Sequence, residues 1–165
     1  MSKKASLLIS ATLGVLLSGC VGNMPEYQTS EGTMIVFKTP TMRYADQGFV
    51  STASSETKVE IYSSGQSVMR LRITPSQVCV TNMACMSKKE FNQKVLGNAN
   101  YPETLIENIF KGEPIFGMEG MNQSDHSFRQ HIQKSGMDIN YIRTPKRIEF
   151  SDTITGTKIK VITTE

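Results

Sequence analysis

Apolar and polar residues alternate with a period of two along much of the chain, the pattern of strands that turn one face to a core. Lys58-Val59-Glu60-Ile61-Tyr62 alternates, Ser63-Ser64-Gly65-Gln66 supplies turn residues, and residues 67–73 alternate again. Met69, Leu71 and Ile73 then share one face, with Arg70 and Arg72 on the other. Residues 34–38 and 48–52 read as two earlier strands, joined through Pro40 and a turn around Ala45-Asp46-Gln47, and 77–80 resumes the pattern beyond Pro75. Four more strands follow at 126–133, 137–143, 147–151 and 158–163. The connections between them, Ser135-Gly136, Thr144-Pro145-Lys146 and 152–156, are short enough for hairpins, so these strands form a meander. Ile139 with Tyr141, Ile148 with Phe150, and Ile159 with Val161 supply its apolar side.

The centre of the chain changes period. Ser87-Lys88-Lys89-Glu90 is a capping box, in which the Ser side chain accepts from the Glu amide and Glu reaches back. Phe91, Val95 and Leu96 follow on one face, and Gly97 ends the segment. Asn100 caps a second predicted helix with Pro102 in its first turn. Its residues Tyr101, Leu105, Ile106, Ile109 and Phe110 sit at helical spacing before Gly112. Strands, then helices, then strands predict an α+β fold. About nine antiparallel strands would curl into a single sheet, a half-open β-barrel spanning 33–165, covered on one face by two or three short helices. The interior of such a sheet is either a filled core or a ligand cavity.

The first twenty residues carry an export pattern. Lys3 and Lys4 precede an apolar stretch over 5–17, which is too short for the ~20 residues of a membrane-spanning helix. Leu17-Ser18-Gly19-Cys20 resembles the lipobox of bacterial lipoproteins. The resemblance implies that 1–19 is a cleaved signal peptide, that Cys20 carries the lipid, and that 20–32 tethers the folded body to a membrane. Val21 follows Cys20 where an Asp would favour retention at the inner membrane in bacteria of the enteric type. An outer-membrane anchor with the body facing the periplasm is therefore the expectation.

Charge and chemistry narrow the picture by exclusion. The net charge of +3 includes Lys3 and Lys4, so cleavage at Cys20 leaves a nearly neutral body with no call on nucleic acid. Cys79 and Cys85 remain as an even pair in an exported chain and predict a disulfide. Their spacing, with no His or further Cys nearby, is not that of a zinc site. His126 and His131 fall on opposite faces if they share one strand, and Asp125 points away from His126 there. No nucleophile elbow, Walker-type loop or His-Glu-x-x-His is present. A non-enzymatic protein with no metal and no cofactor is expected.

Residues 35–162 resemble the lipoprotein-carrier superfamily of the bacterial envelope, the LolA/LolB-like proteins. The resemblance is carried by the lipobox, the strand meander and the segment Tyr-Pro-Glu-Thr-Leu-Ile-Glu-Asn-Ile-Phe-Lys-Gly-Glu-Pro-Ile beginning at Tyr101. Asp138-Ile139-Asn140-Tyr141, Lys146-Arg147-Ile148-Glu149-Phe150 and Lys158-Ile159-Lys160-Val161 complete it. It implies an open half-barrel whose interior accepts acyl chains, with Met69, Leu71, Ile73, Leu105, Ile109, Tyr141 and Phe150 as candidate cavity residues. The short polar turn at Ser63–Gln66 and the Cys79/Cys85 pair depart from the family pattern. Two functions stay open. One is lipid or acyl-chain binding in lipoprotein localisation or lipid transfer. The other is a structural or assembly lipoprotein that docks on an envelope complex through its sheet edge or the loop at 113–121.

Overall fold

A computed structural model describes residues 26–29 and 32–164; the predicted signal peptide and Cys20 lie outside the described residues. The described residues form twelve strands: β1 (Gln28–Thr29), β2 (Thr33–Lys38), β3 (Arg43–Thr52), β4 (Thr57–Ser63), β5 (Gln66–Ile73), β6 (Gln77–Val80), β7 (Met86–Ser87), β8 (Met121–Ser124), β9 (Ser127–Lys134), β10 (Met137–Thr144), β11 (Arg147–Asp152) and β12 (Lys158–Thr163). All belong to one sheet in the order β7-β6-β5-β4-β3-β2-β12-β11-β10-β9-β8, with β1 added beside β3. Every pairing is antiparallel, and β7 and β8 are free ends, so the sheet is not closed.

Period-two alternation sets which residues face the core. Ile35 and Phe37, Val59 and Ile61, Met69, Leu71 and Ile73, and Ile159 and Val161 are all buried in one cluster. Between them stand polar residues that face out, such as Glu60, Arg70 and Lys160, tied across strands by ion pairs. Gly48 permits the close approach of β3 to β4. A Cβ there would stand 2.2 Å from the Glu60 carbonyl oxygen and 2.7 Å from Ile35 Cδ1.

The predicted α+β architecture does not form: the protein is mainly β. Half of the capping box forms: Ser87 Oγ accepts from the Glu90 amide at 3.2 Å, while the Glu90 carboxylate pairs with Lys94, and the cap serves only the four-residue α1 (Lys88–Phe91). The backbone then widens into a π-turn over Asn92–Leu96 and stops at Gly97. The Asn92 side chain is buried and donates to the carbonyls of Tyr101 and Pro102. Those carbonyls are thereby held in a turn, so Asn100 caps no helix. Helix α2 (Leu105–Lys111) starts after Thr104 and runs for seven residues to Gly112. One further 3-10 turn covers Phe116–Met118. These short pieces contribute Phe91, Leu96, Leu105, Ile106 and Ile109 to the same core as the strands, not a separate helical layer.

Three strands lie outside the predicted set, β1, β7 and β8, and β3 begins at Arg43 instead of residue 48. The expected turn at Ala45-Asp46-Gln47 is paired strand, with Ala45 opposite Val36. Polar sequence hid it.

Lys88 is nearly fully buried, and its ammonium meets Glu107 on α2 at 2.8 Å; Glu107 also accepts from Lys111 at 2.7 Å. Burial opposes ionisation of Glu107, yet the hydrogen bonds and charges of Lys111 and Lys88 outweigh it and hold the carboxyl below its ordinary 4.5. Glu60 is depressed in the same way, its burial overcome by Arg70 and Lys58. At Glu149 the hydrogen bond from Lys160 acts first in the same direction. A carboxyl depressed in the folded chain stabilises fully above its unfolded pKa, and the gain is lost as pH falls through the lower folded value. Thermal stability should hold from neutrality to about pH 5 and decline below about pH 4.5. A melting curve taken at steps across that range checks it, and Glu107→Gln should shrink the decline.

Candidate functional site

One end of the sheet gathers the start of β2, the end of β12, and the turns β3–β4, β8–β9 and β10–β11. The register fixes this, since Thr163 pairs with Thr33, Ile162 with Arg147, and Arg143 with Phe128. Helix α2 also finishes here. Gly112 adopts φ 67° and lets the chain turn away over Ile148 and Arg143, leaving Lys111 and Glu113 on the rim.

A cleft of about 670 Å³ opens at this end. Val50, Phe110, Ile148 and Val161 give it an apolar floor, the exposed end of the core cluster, and half-buried Ala53 of the β3–β4 turn adjoins it. Glu26, Gln28, Thr52, Ser54, Lys111, Glu113 and Thr163 form a polar rim, and Thr33 lies buried beneath it with its hydroxyl donated to the Gly48 carbonyl. Its size lies within the range of about 300–1,000 Å³ usual for small-molecule sites. An apolar floor under a ring of hydroxyls and charges suits a ligand with a hydrocarbon body and a polar head.

The N-terminal segment borders this cleft. Gln28 pairs with Thr52 and Thr29 with Ser51, so β1 continues the edge of β3 where β2 has ended. Tyr27 donates its hydroxyl proton to Glu56, and the Lys58 ammonium lies 5.3 Å from the centre of the Tyr27 ring. Residues 26–29, expected to be tether, are thus bound to the sheet.

The candidate cavity residues lie elsewhere. Met69, Leu71, Ile73, Leu105, Ile109, Tyr141 and Phe150 are each at most 1% exposed and pack within the core, and none lines the cleft. Tyr141 is fixed further by its hydroxyl, which donates to the Asn108 and Glu113 carbonyls at 3.4 and 3.0 Å. Its burial raises the phenol pKa. Tyr101 is raised likewise, by burial first and then by its hydrogen bond to Asp152. Both are structural phenols, anchoring 101–113 to the far strands.

Sequence reasoning missed the cleft because its walls come from β1, β3, α2, β11 and β12. The single available signal was Ile148 and Val161 at inward positions near strand ends. Cys79 and Cys85 form the expected disulfide, closing the loop between β6 and β7. His126 lies in the turn before β9 instead of on the strand, while His131 sits on the outer face with Nε2 3.1 Å from Asp138 Oδ1. Among the described residues no group of three or more His, Cys, Asp or Glu side chains is placed to hold a metal ion. No described helix is long and apolar enough to cross a membrane. Comparison with known proteins finds no matching family model and no matching curated protein.

Proposed function

We propose that this chain is a lipoprotein anchored through Cys20, and that the cleft at the end of its sheet holds an apolar ligand, an acyl chain foremost. Its work would be lipoprotein localisation or lipid transfer at the outer membrane. One observation carries the reading: the cleft has an apolar floor, and it opens where residues 26–29 join the sheet. A lipid upstream of Glu26 would bring this mouth to the membrane. The lipobox-like Leu17-Ser18-Gly19-Cys20 and the likeness to the lipoprotein-carrier superfamily support the same reading.

The test has two readouts on the full chain expressed in an exporting bacterium. Intact mass should show cleavage before Cys20 and added acyl groups, and Cys20→Ser should abolish both. A fluorescent fatty acid should bind the purified protein, and Ala53→Trp, which fills the cleft from beside its floor, should weaken binding at least about tenfold without lowering the melting temperature. Unchanged uptake in Ala53→Trp would overturn the cleft assignment.

A second reading, docking on an envelope complex, is favoured by the free edge of β8 and by Met118 beside it, which is 58% exposed.

A further inference from the structure

A second depression, of about 430 Å³, lies on the outer face at the same end of the sheet. Ile142 is at its floor, flanked across the strands by Asn122, Arg129 and Glu149, which pair in one row. Ser124 and Ser127 pair in the next row, as do Thr144 and Arg147, which brings three hydroxyls and a second guanidinium to the rim. Between those rows Arg143 and Phe128 turn to the inner face, where Arg143 lies beside Gly112 and donates from Nη1 to the His126 carbonyl at 2.6 Å, and Phe128 packs on Tyr141. Two guanidinium groups, of Arg129 and Arg147, therefore face one small depression.

Opposing charge here is sparse. Glu149 is shared among Arg147 at 3.6 Å, Lys158 at 4.0 Å and Lys160 at 2.6 Å, so one carboxylate faces three cations. Asp125 stands in the adjacent turn and Glu113 on the rim of the neighbouring cleft. Guanidinium groups beside hydroxyl donors form the donor set that phosphate oxygens accept from, with Arg able to engage two oxygens at once. Ile142 adds an apolar floor on which a glycerol backbone could rest.

The geometry points to this depression as a site for the phosphate of an anionic phospholipid headgroup, in the bilayer that carries the anchor. Beyond the acyl-chain reading, it needs only the Cys20 anchor and not an occupied cleft. Residues 26–29 meet the sheet at this end, so a lipid on Cys20 would bring the arginine rim to headgroup level, where basic side chains gain most.

The test uses the chain begun at Val21, because Cys20→Ser would keep the uncleaved apolar residues 5–17 with Lys3 and Lys4, and Ala53→Trp is added in a parallel sample to block the cleft. Partition onto phosphatidylglycerol vesicles should be at least about tenfold stronger than onto phosphatidylcholine vesicles, and should fall as salt rises. Arg129→Gln with Arg147→Gln should weaken the phosphatidylglycerol partition by about 25-fold, near fivefold per residue, and leave phosphatidylcholine unaffected. Both arginines are exposed, so the melting temperature should not move. An arginine-independent partition would overturn the proposal. So would saturable binding of inorganic phosphate with no arginine-dependent preference among vesicles, which would make it a small-anion site. Persistence of the effect in the Ala53→Trp sample separates it from the fate of the cleft.

Discussion

Phe150→Ala should lower the stability of the fold by about 3–5 kcal/mol, near the top of the range for removing a buried aromatic ring. Phe150 is fully buried on β11, opposite Tyr141 on one side and Ile159 on the other. The Tyr141 and Tyr101 rings each stand 6.4 Å from it in edge-on contact. Such a cavity costs least when neighbours move in, and here the two largest neighbours are held. Tyr141 is fixed by its hydrogen bonds to the Asn108 and Glu113 carbonyls, and Tyr101 by Asp152. With a typical domain stable by only about 5–15 kcal/mol, the variant should unfold at a much lower denaturant concentration. A loss below about 2 kcal/mol would show that the tyrosines do relax into the space.

Gln130→Ala should cost about 2–4 kcal/mol and, more diagnostically, should free the segment between α2 and β8. Gln130 is fully buried at an inward position of β9. Its Oε1 accepts from the Ile115 amide, and its Nε2 donates to the Ile115 and Glu119 carbonyls, each at 2.8 Å. Truncation leaves the buried Ile115 amide and carbonyl without partners and takes the donor from the Glu119 carbonyl. Between the clamped ends, Phe116, Gly117 and Met118 have φ of 48°, 62° and 68°, in the left-handed region that ordinary residues avoid. Such backbone persists only where its surroundings hold it. Hydrogen exchange at Ile115 and 116–120 should therefore accelerate far more than exchange in β4 or β12. Gln130→Glu should be at least as damaging, since a carboxylate cannot donate to the two carbonyls. Unchanged protection at the Ile115 amide would show that the amide fork is not what holds this segment.

Much of this fold was legible wherever a strand carried its own period. The alternation from Lys58 to Ile73 gave both the hairpin and the sides of Met69 and Arg70, because each of those side chains lies on a sheet with one dry face. The polar strands were not legible. Met121-Asn122-Gln123-Ser124 has no apolar rhythm and becomes β8 only because β9 offers it a ladder. Helix length failed for a related reason. The capping signal at Ser87 is local and came true, whereas the Asn92 side chain ends the turn through bonds to residues nine and ten positions away. The Gln130 clamp did leave a trace: between outward Arg129 and His131, a Gln at an inward position demands partners. The cleft left almost none, since Val50, Phe110, Ile148 and Val161 meet only once the chain has folded.

The central pairing of the sheet joins its first long strand to its last, with Thr33 opposite Thr163 and Lys38 opposite Lys158. Residues 43–87 and 121–152 can each build a meander from neighbouring hairpins, but the seam between the two halves waits for β12. A chain delivered from its N-terminus would therefore carry two incomplete half-sheets until β12 follows them, and closing so long a loop makes that step slow.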